Sequence, residues 1–367
     1  MDGAFPATAT TMPAARVHGP GDVRRDRVPV PVAGPGEVVV RIGACGICGS
    51  DLGYIAKGSL DGVHPLAAPL PIGHECAGTV VAVGADVPGS GFGGAHLGAI
   101  APGRRVAINP DRGYIGGGGA EGAMAPYLRV TGARIGDTLF PLPDHVSFAE
   151  AALAEPLSVA LHGLRRVRTG AGDRVAIIGA GPIGLSAVAM LHSMGARRIA
   201  IFDTVDSRLA RARALGADLA VNVAVNVSGE SLPAALARFH GSGTRFGVPY
   251  VETDVFVDAA GSGAALAEAI GVAKKGARVA VIALHKAPLP IDLFHLMANE
   301  ITLAGAIADD RAEEFGAALT MIASRAANLA PLISHHFAFD AFDAALAMAA
   351  DAAQAAKVML TFPGDVA

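Results

Sequence analysis

Three cysteines in 367 residues are too few for a disulfide framework. Cys45, Cys48 and Cys76 point instead to a reducing compartment, and a cytoplasmic protein is expected. Charge is sparse too: Asp, Glu, Lys and Arg make up 17% of the chain, and the net charge is −4. The basic clusters, Arg165, Arg166 and Arg168 and then Arg208, Arg211 and Arg213, are small and read as solvated helix faces, which excludes a nucleic-acid surface. No apolar h-region opens the chain, so no secretory signal is expected. The most apolar long segment is interrupted by glycines and divides into two strands and a helix, which excludes a membrane span. What the chain has in quantity is apolar residues, 52% of the total. That composition predicts a globular fold with large cores, and the length suits two domains at about 150 residues each.

The best-defined unit runs from Arg174 to Asp203. Val175 to Ile178 is a short β-branched run that predicts a buried strand. It ends at Gly179-Ala180-Gly181-Pro182-Ile183-Gly184, a G-x-G-x-x-G in which Pro182 can open a helix because its missing N–H would be unbonded there. Ile183, Ala187, Met190 and Met194 recur at helical spacing, and a second apolar run, Ile199 to Phe202, ends in Asp203. Together these predict a dinucleotide-binding βαβ unit. Gly179 permits the tight turn, Gly181 lets a pyrophosphate approach the backbone, and Gly184 lets helix and strand pack closely. The helix N-terminus supplies free N–H groups and a positive dipole end for the phosphates. Asp203 favours NAD over NADP because a carboxylate accepts from ribose hydroxyls and repels a 2′-phosphate, whereas Arg208 is the nearby feature that argues for NADP.

Before this unit, Glu37–Ile42, Thr79–Val83 and Arg105–Ile108 read as strands separated by Pro/Gly turns, after an extended edge segment at Val28–Val32. This predicts a β-barrel-like region with irregular loops, among them the glycine-rich 89–103 and a flexible run at Gly116–Gly119. Ala149 to Val167 reads as helix. After Asp203 come a helix at Ser207–Leu215, a mixed stretch to Tyr250, and strands at Val255–Asp258, Arg278–Ala283 and Ile301–Leu303. Alternating strands and helices predict a doubly wound parallel sheet from about 165 to 305. The last sixty or so residues read as helices at Glu313–Ser324 and Phe342–Ala356 and a strand at Lys357–Leu360, a tail expected to pack back on the N-terminal part.

Residues of metal-ligand type occur in the first part. Cys48 lies in a glycine-rich loop, His74 and Glu75 follow the Pro69-Leu-Pro turn, and Glu155 lies in the helical stretch before the βαβ unit. Thiolate, imidazole and carboxylate are the ligand types of Zn²⁺ sites. Their spacing alone leaves open a buried structural Cys48, a capping or core His74 and solvated carboxylates. Asn226-Val-Ser also matches a glycosylation pattern, without meaning in a cytoplasmic chain.

Four motifs in order, GICGSD, PIGHECAGTVVAVG, AEPLSVALHG and VAIIGAGPIGL, resemble the zinc-dependent medium-chain alcohol dehydrogenases, most of all the branch acting on polyols, butanediol and threonine. The similarity covers about Pro31 to Leu360. It implies an α/β protein in which a GroES-like, β-barrel-type catalytic domain, 1–163 completed by 306–367, carries an inserted Rossmann domain at 164–305. It further implies zinc ligation by Cys48, His74, Glu75 and Glu155, a Ser50 hydroxyl that takes the substrate's proton, and an Asp51 carboxylate behind the His ligand. The implied reaction is metal-assisted hydride transfer from a small-molecule alcohol to NAD, in a homodimer or homotetramer.

Two departures matter. The loop Asn109–Tyr127 has no cysteine, so one catalytic zinc per chain and no structural zinc are expected. Gly53 stands where many relatives have a histidine ending the proton relay, which leaves water and the ribose hydroxyl, or another residue such as His64. Tyr54, His64 and Leu284 are the expected pocket residues; Cys45, Cys76, His162 and His335-His336 are expected to do no chemistry, and His285 follows a sheet strand near the cofactor. A zinc-free NADPH-dependent quinone or enone reductase of the same fold conflicts with Cys48, His74 and Glu155 occurring together. A non-catalytic nucleotide-binding protein conflicts with Ser50 and the ligands being kept.

Overall fold

The computed structural model describes residues 10–88, 99–224, 230–307 and 310–362, so Asn226-Val-Ser and most of the 89–103 loop lie outside the described residues. A six-stranded parallel sheet holds the strands Leu219–Asn222, Ile199–Asp203, Val175–Ile178, Val255–Asp258, Arg278–Val281 and Thr302–Gly305, side by side in that order. Counted along the chain the order is 3-2-1-4-5-6, the dinucleotide-binding arrangement, with the switch point between Val175–Ile178 and Val255–Asp258. Alternate residues divide the two faces. Val175, Ile177, Ile199, Ile201, Val255 and Val257 pack with Leu185, Val188, Leu157 and Leu161. Ala176, Ile178, Ala200, Phe202 and Phe256 pack with Leu232, Leu236, Leu266 and Ile270 on the other side. Full burial of each such aliphatic or Phe side chain is worth roughly 1.5–3 kcal/mol, so this pattern fixes the strand register.

The predicted strand Val255–Asp258 is observed at those bounds, and the helix read at Ser207–Leu215 spans Asp206–Ala214. The mixed stretch to Tyr250 contains a helix, Leu232–His240, and a hairpin, Ser242–Arg245 with Val248–Val251. The stretch read as a single helix from Ala149 is two, Phe148–Ala152 and Ala154–Arg166.

The other large sheet has seven strands centred on Val38–Ile47, which pairs antiparallel with Glu75–Val83, Tyr127–Val130 and Lys357–Thr361. The C-terminal tail thus returns to the N-terminal part through Lys357–Thr361, as expected. A separate hairpin, Thr11–Gly19 with Asp22–Pro29, forms where the sequence predicts only an edge segment. The glycines read as a flexible run are instead closely packed. A Cβ at Gly116 would lie 2.2 Å from the Gly73 carbonyl oxygen, and one at Gly119 would lie 1.8 Å from that of Gly113. Helix Ala154–Arg166 spans both regions. Leu157, Leu161 and Leu164 share one core with Ala44 and Ala77 of the antiparallel sheet and with Val175 and Ile177 of the parallel one.

Candidate active site

Cys48 does not sit in a loop; it is the residue from which helix Gly49–Lys57 starts, and its side chain lies where the helix dipole favours an anion. Glycines at 46 and 49 obscure this start in the sequence, but Asp51 supplies it. One Asp51 oxygen accepts from the Cys48 N–H at 2.9 Å; the other accepts from the Gly73 N–H at 3.0 Å and lies 3.7 Å from His74 Nδ1. One buried carboxylate therefore ties together the two segments that carry Cys48 and His74. Gly73 turns with φ +90°, a conformation that favours glycine, and His74 precedes the strand that Glu75 opens. The adjacent pair thereby escapes the alternation of a strand. The ligand atoms of Cys48, His74 and Glu75 all lie within 4.8 Å of one another.

The fit to a metal ion is good. Soft thiolate, imidazole and carboxylate converge, and two of the buried atoms there, His74 Nδ1 and Glu75 Oε2, have no hydrogen-bond partner among the described residues. Burial opposes a charge on His74, but Asp51 and Cys48 outweigh it and raise the imidazole well above its ordinary pKa.

Two buried cations stand behind this cluster, neither singled out from the sequence. Lys357 Nζ donates to Glu75 Oε1 at 2.5 Å and to the Ile47 carbonyl at 3.2 Å. Burial works against the ammonium, and the Glu75 carboxylate more than offsets it, so Lys357 stays charged. Gly46 makes the pair possible: it lies on the strand between the two, and a Cβ there would fall 2.1 Å from Glu75 Oε2 and 3.1 Å from Lys357 Cδ. Arg311 starts helix Ala312–Ser324 and donates to Glu155 Oε1 at 2.8 Å and to both oxygens of Asp111, the shorter at 2.6 Å. Burial opposes the Glu155 charge, but Arg311 and His74 overcome it and hold the carboxyl below its ordinary range. Glu155 therefore stands beside His74 but outside the three-residue cluster, engaged by a guanidinium.

Ser50, Tyr54, His74, Tyr114, Glu155 and Arg311 line one cavity of about 180 Å³, with Asp111 and Pro110 on its wall. A larger depression of about 510 Å³, lined by Glu150, Arg325 and His336, shares none of these residues. His64 is 83% exposed and pairs with Asp61 at 2.6 Å in a different depression, so it does not replace a relay histidine at Ser50. Cys45 and Cys76 are buried free thiols facing each other across paired strands, pushed up in pKa by burial. His162 lies 3.6 Å from Glu314.

The second half of the site lies at the carboxyl end of the parallel sheet. Helix Pro182–Ser193 starts from Gly181 with Pro182 in its first turn, as the spacing predicts. A Cβ at Gly184 would come 1.8 Å from the Gly179 carbonyl oxygen, whereas one at Gly181 would meet nothing within 4 Å. The first glycine is needed for helix–turn contact, and the second faces open space where a pyrophosphate fits. Ile183 is half-buried on the same first turn. Asp203 ends its strand and accepts from the Ala180 N–H at 2.6 Å, so the acid is bonded to the glycine turn itself. Arg208, on the next helix, has a buried Nε without a hydrogen-bond partner among the described residues.

Fold and site together define a dinucleotide-binding dehydrogenase with a metal centre. The comparisons agree. A family model described as an alcohol dehydrogenase GroES-like domain matches residues 34–144, and one described as a zinc-binding dehydrogenase matches 182–324. Sorbitol dehydrogenase of Pongo abelii is 31% identical over 354 residues, covering 89% of this chain and 90% of that protein. The Macaca fascicularis sorbitol dehydrogenase is 32% identical over 346 residues, with the same coverage. Among solved structures, 2R,3R-butanediol dehydrogenase from Bacillus subtilis superposes with a TM-score of 0.80 at 26% identity, covering 95% of this chain and 99% of that one. The chain belongs to the zinc-dependent medium-chain alcohol dehydrogenase family, in the branch that contains sorbitol and butanediol dehydrogenases, and it is an oxidoreductase. Among the described residues no helix is long and apolar enough to cross a membrane.

Proposed function

We propose that this chain oxidises a secondary alcohol of a polyol, sugar alcohol or vicinal diol, with NAD as hydride acceptor and one zinc ion per chain. The observation that carries the reading is the convergence of Cys48, His74 and Glu75 beside a cavity that also holds Ser50 and Glu155. Zinc held there would act as a Lewis acid on the substrate oxygen. Cys48 and His74 are the proposed constant ligands, and Glu75 and Glu155 the carboxylates that complete the set, each now held by a cation. Asp51 is the proposed positioning residue, through its bonds to the segments that bear both constant ligands.

NAD, when bound, would supply the acceptor for the carbinol hydride as the alcohol carbon becomes a carbonyl. The Ser50 hydroxyl would accept the substrate's hydroxyl proton while passing its own outward, so the serine ends unchanged and one proton leaves the site. Gly179, Gly181, Pro182, Ile183 and Gly184 form the proposed cradle of the diphosphate. Asp203 is the proposed partner of the adenosine ribose, with Arg208 beside it. Its carboxylate, already anchored to Ala180, supports NAD rather than NADP.

The proposed division is a catalytic domain of 1–163 with 306–367, and a cofactor domain of 164–305; the pairing of Lys357–Thr361 with Val38–Ile47 supports it. A single zinc rests on the lack of cysteine at 109–127. A homodimer or homotetramer is supported by the edge strand Thr302–Gly305 and the exposed Phe294, Met297 and Ile307 near the same end of the chain.

The test is zinc per chain on protein purified without added metal, with NAD reduction by a panel including sorbitol and 2,3-butanediol before and after chelation. About one zinc, with activity lost on chelation and restored by Zn²⁺, is the expected result. Chelator-insensitive turnover without bound zinc would overturn it in favour of the zinc-free reductase.

A further inference from the structure

We infer that His285, oriented by the buried Asp258, accepts a hydrogen bond from a ribose hydroxyl in the nicotinamide half of the dinucleotide and so positions the ring for hydride transfer. The inference rests on the dinucleotide reading above and assigns the half of the cofactor that the glycine motif does not describe.

Asp258 ends the strand that follows the switch point, and its side chain is fully buried. One carboxylate oxygen accepts from the N–H groups of Ala260, at 3.2 Å, and Gly261, at 3.0 Å; the other lies 2.5 Å from His285 Nε2. The Asp258 carbonyl accepts from the N–H groups of both Ile282 and Ala283, each at 3.0 Å, so the next strand bends over Asp258 just before His285. Three segments then lie side by side at the carboxyl edge of the sheet. A Cβ at Gly179 would lie 2.9 Å from Ala260, and a Cβ at Gly261 would lie 2.6 Å from the Leu284 carbonyl oxygen. His285 is thus one packed segment away from the glycine turn, beside the crevice where this fold takes its ligand.

Its chemistry is specified by its partner. In the neutral imidazole the Asp258 carboxylate, which only accepts, places the proton on Nε2 and leaves Nδ1 as a lone-pair acceptor. Among the described residues Nδ1 has no hydrogen-bond partner, and the side chain is 19% exposed. A lone pair suits a hydroxyl donor and does not suit a phosphate oxygen, which accepts only. The fold supplies the rest of the assignment. It consists of two mononucleotide-binding halves; Asp203, on the second strand, takes the adenosine ribose, and Asp258 and His285 belong to the fourth and fifth strands, in the other half.

The test is the affinity of the full-length protein for AMP, ADP, ADP-ribose and NADH by calorimetry, in the wild type, His285→Ala and His285→Asn. One hydrogen bond predicts ADP-ribose and NADH about 5–10-fold weaker in His285→Ala. AMP and ADP should stay within about twofold, which also reports an intact fold. Asn, whose side-chain oxygen reaches the Nδ1 position, should recover most of the loss. Unchanged ADP-ribose affinity in His285→Ala overturns the inference, and so does a loss already present with ADP, which would place the contact at the diphosphate. A wild type that binds neither NADH nor ADP-ribose overturns the dinucleotide reading itself and this inference with it.

Discussion

The two halves of the site are built from opposite materials. The cofactor crevice is mostly backbone: a glycine turn, a helix N-terminus, and acids at strand ends that bond the turns next to them, Asp203 to Ala180 and Asp258 to Gly261. The metal side is mostly buried charge. Glu75 is matched by Lys357, Glu155 by Arg311, and Arg311 again by Asp111, each pair nearly closed to solvent. Backbone recognition needs few side chains, and they are close in sequence. Charge compensation needs partners wherever the fold brings them: 282 residues separate Glu75 from Lys357, and 156 separate Glu155 from Arg311.

If the halves are chemically separate, damaging one should spare the other. The largest effect is expected from Cys48→Ala. Losing the thiolate should remove most of the bound zinc, and loss of Lewis-acid assistance worth several kcal/mol lowers kcat/KM for the alcohol by roughly 10³-fold or more. NADH affinity should stay within about twofold, because the glycine turn does not depend on Cys48. Metal analysis and NADH titration on the same preparation check both. A parallel fall in NADH binding would show that the separation is wrong.

Next in size is the buried pair. Lys357→Met leaves Glu75 as an uncompensated buried carboxylate, a change that costs about 3–5 kcal/mol of stability. A chemical denaturation curve should report that loss, and adding Glu75→Gln should recover much of it, since a neutral amide no longer requires the ammonium. If the single variant is as stable as the parent, Glu75 is not held as an ion, and the contrast drawn above fails on its metal side.

Gly184→Ala attacks the other half. The new methyl would begin 1.8 Å from the Gly179 carbonyl oxygen, so helix and turn must part. Overpacking of this kind costs about 1–3 kcal/mol, expected here as a tenfold or greater loss of NADH affinity with zinc content unchanged. Gly181→Ala, whose Cβ would meet none of the described residues within 4 Å, should keep its stability and lose affinity only by crowding the diphosphate.

The contrast between the halves also governs what the sequence reveals. Val175 to Asp203 declares strand, turn, helix and acid within 30 residues because each is a local requirement, and the observed elements lie within a residue or two of the predicted ones. The metal residues are visible as chemistry-bearing types, but their convergence depends on pairings made by the folded sheet. Lys357 heads an apolar strand and carries no local sign that it is buried, and Arg311 reads as an ordinary helix start. The helix beginning at Gly49 is hidden in the sequence because its start is set by Asp51 accepting from Cys48, a side-chain bond beneath glycines that suggest a loop. Likewise the Gly116–Gly119 run looks loose in sequence, while in the fold Gly116 is pressed against Gly73, beside His74.

The smallest expected effect sharpens the cofactor half. Asp203→Asn keeps an oxygen able to accept from the Ala180 N–H but removes the charge that opposes a 2′-phosphate. Arg208, five residues on along the chain, is the proposed cation to receive that phosphate. Relief of one like-charge contact near the surface is worth on the order of 1 kcal/mol, so the ratio of kcat/KM for NAD to that for NADP should fall about five- to tenfold. Adding Arg208→Ala should return part of the ratio, because the gain for NADP depends on a cation to receive the phosphate. An unchanged ratio in the first variant would mean that Asp203 serves only to tether the glycine turn, and that discrimination between the two cofactors lies on another element of the crevice.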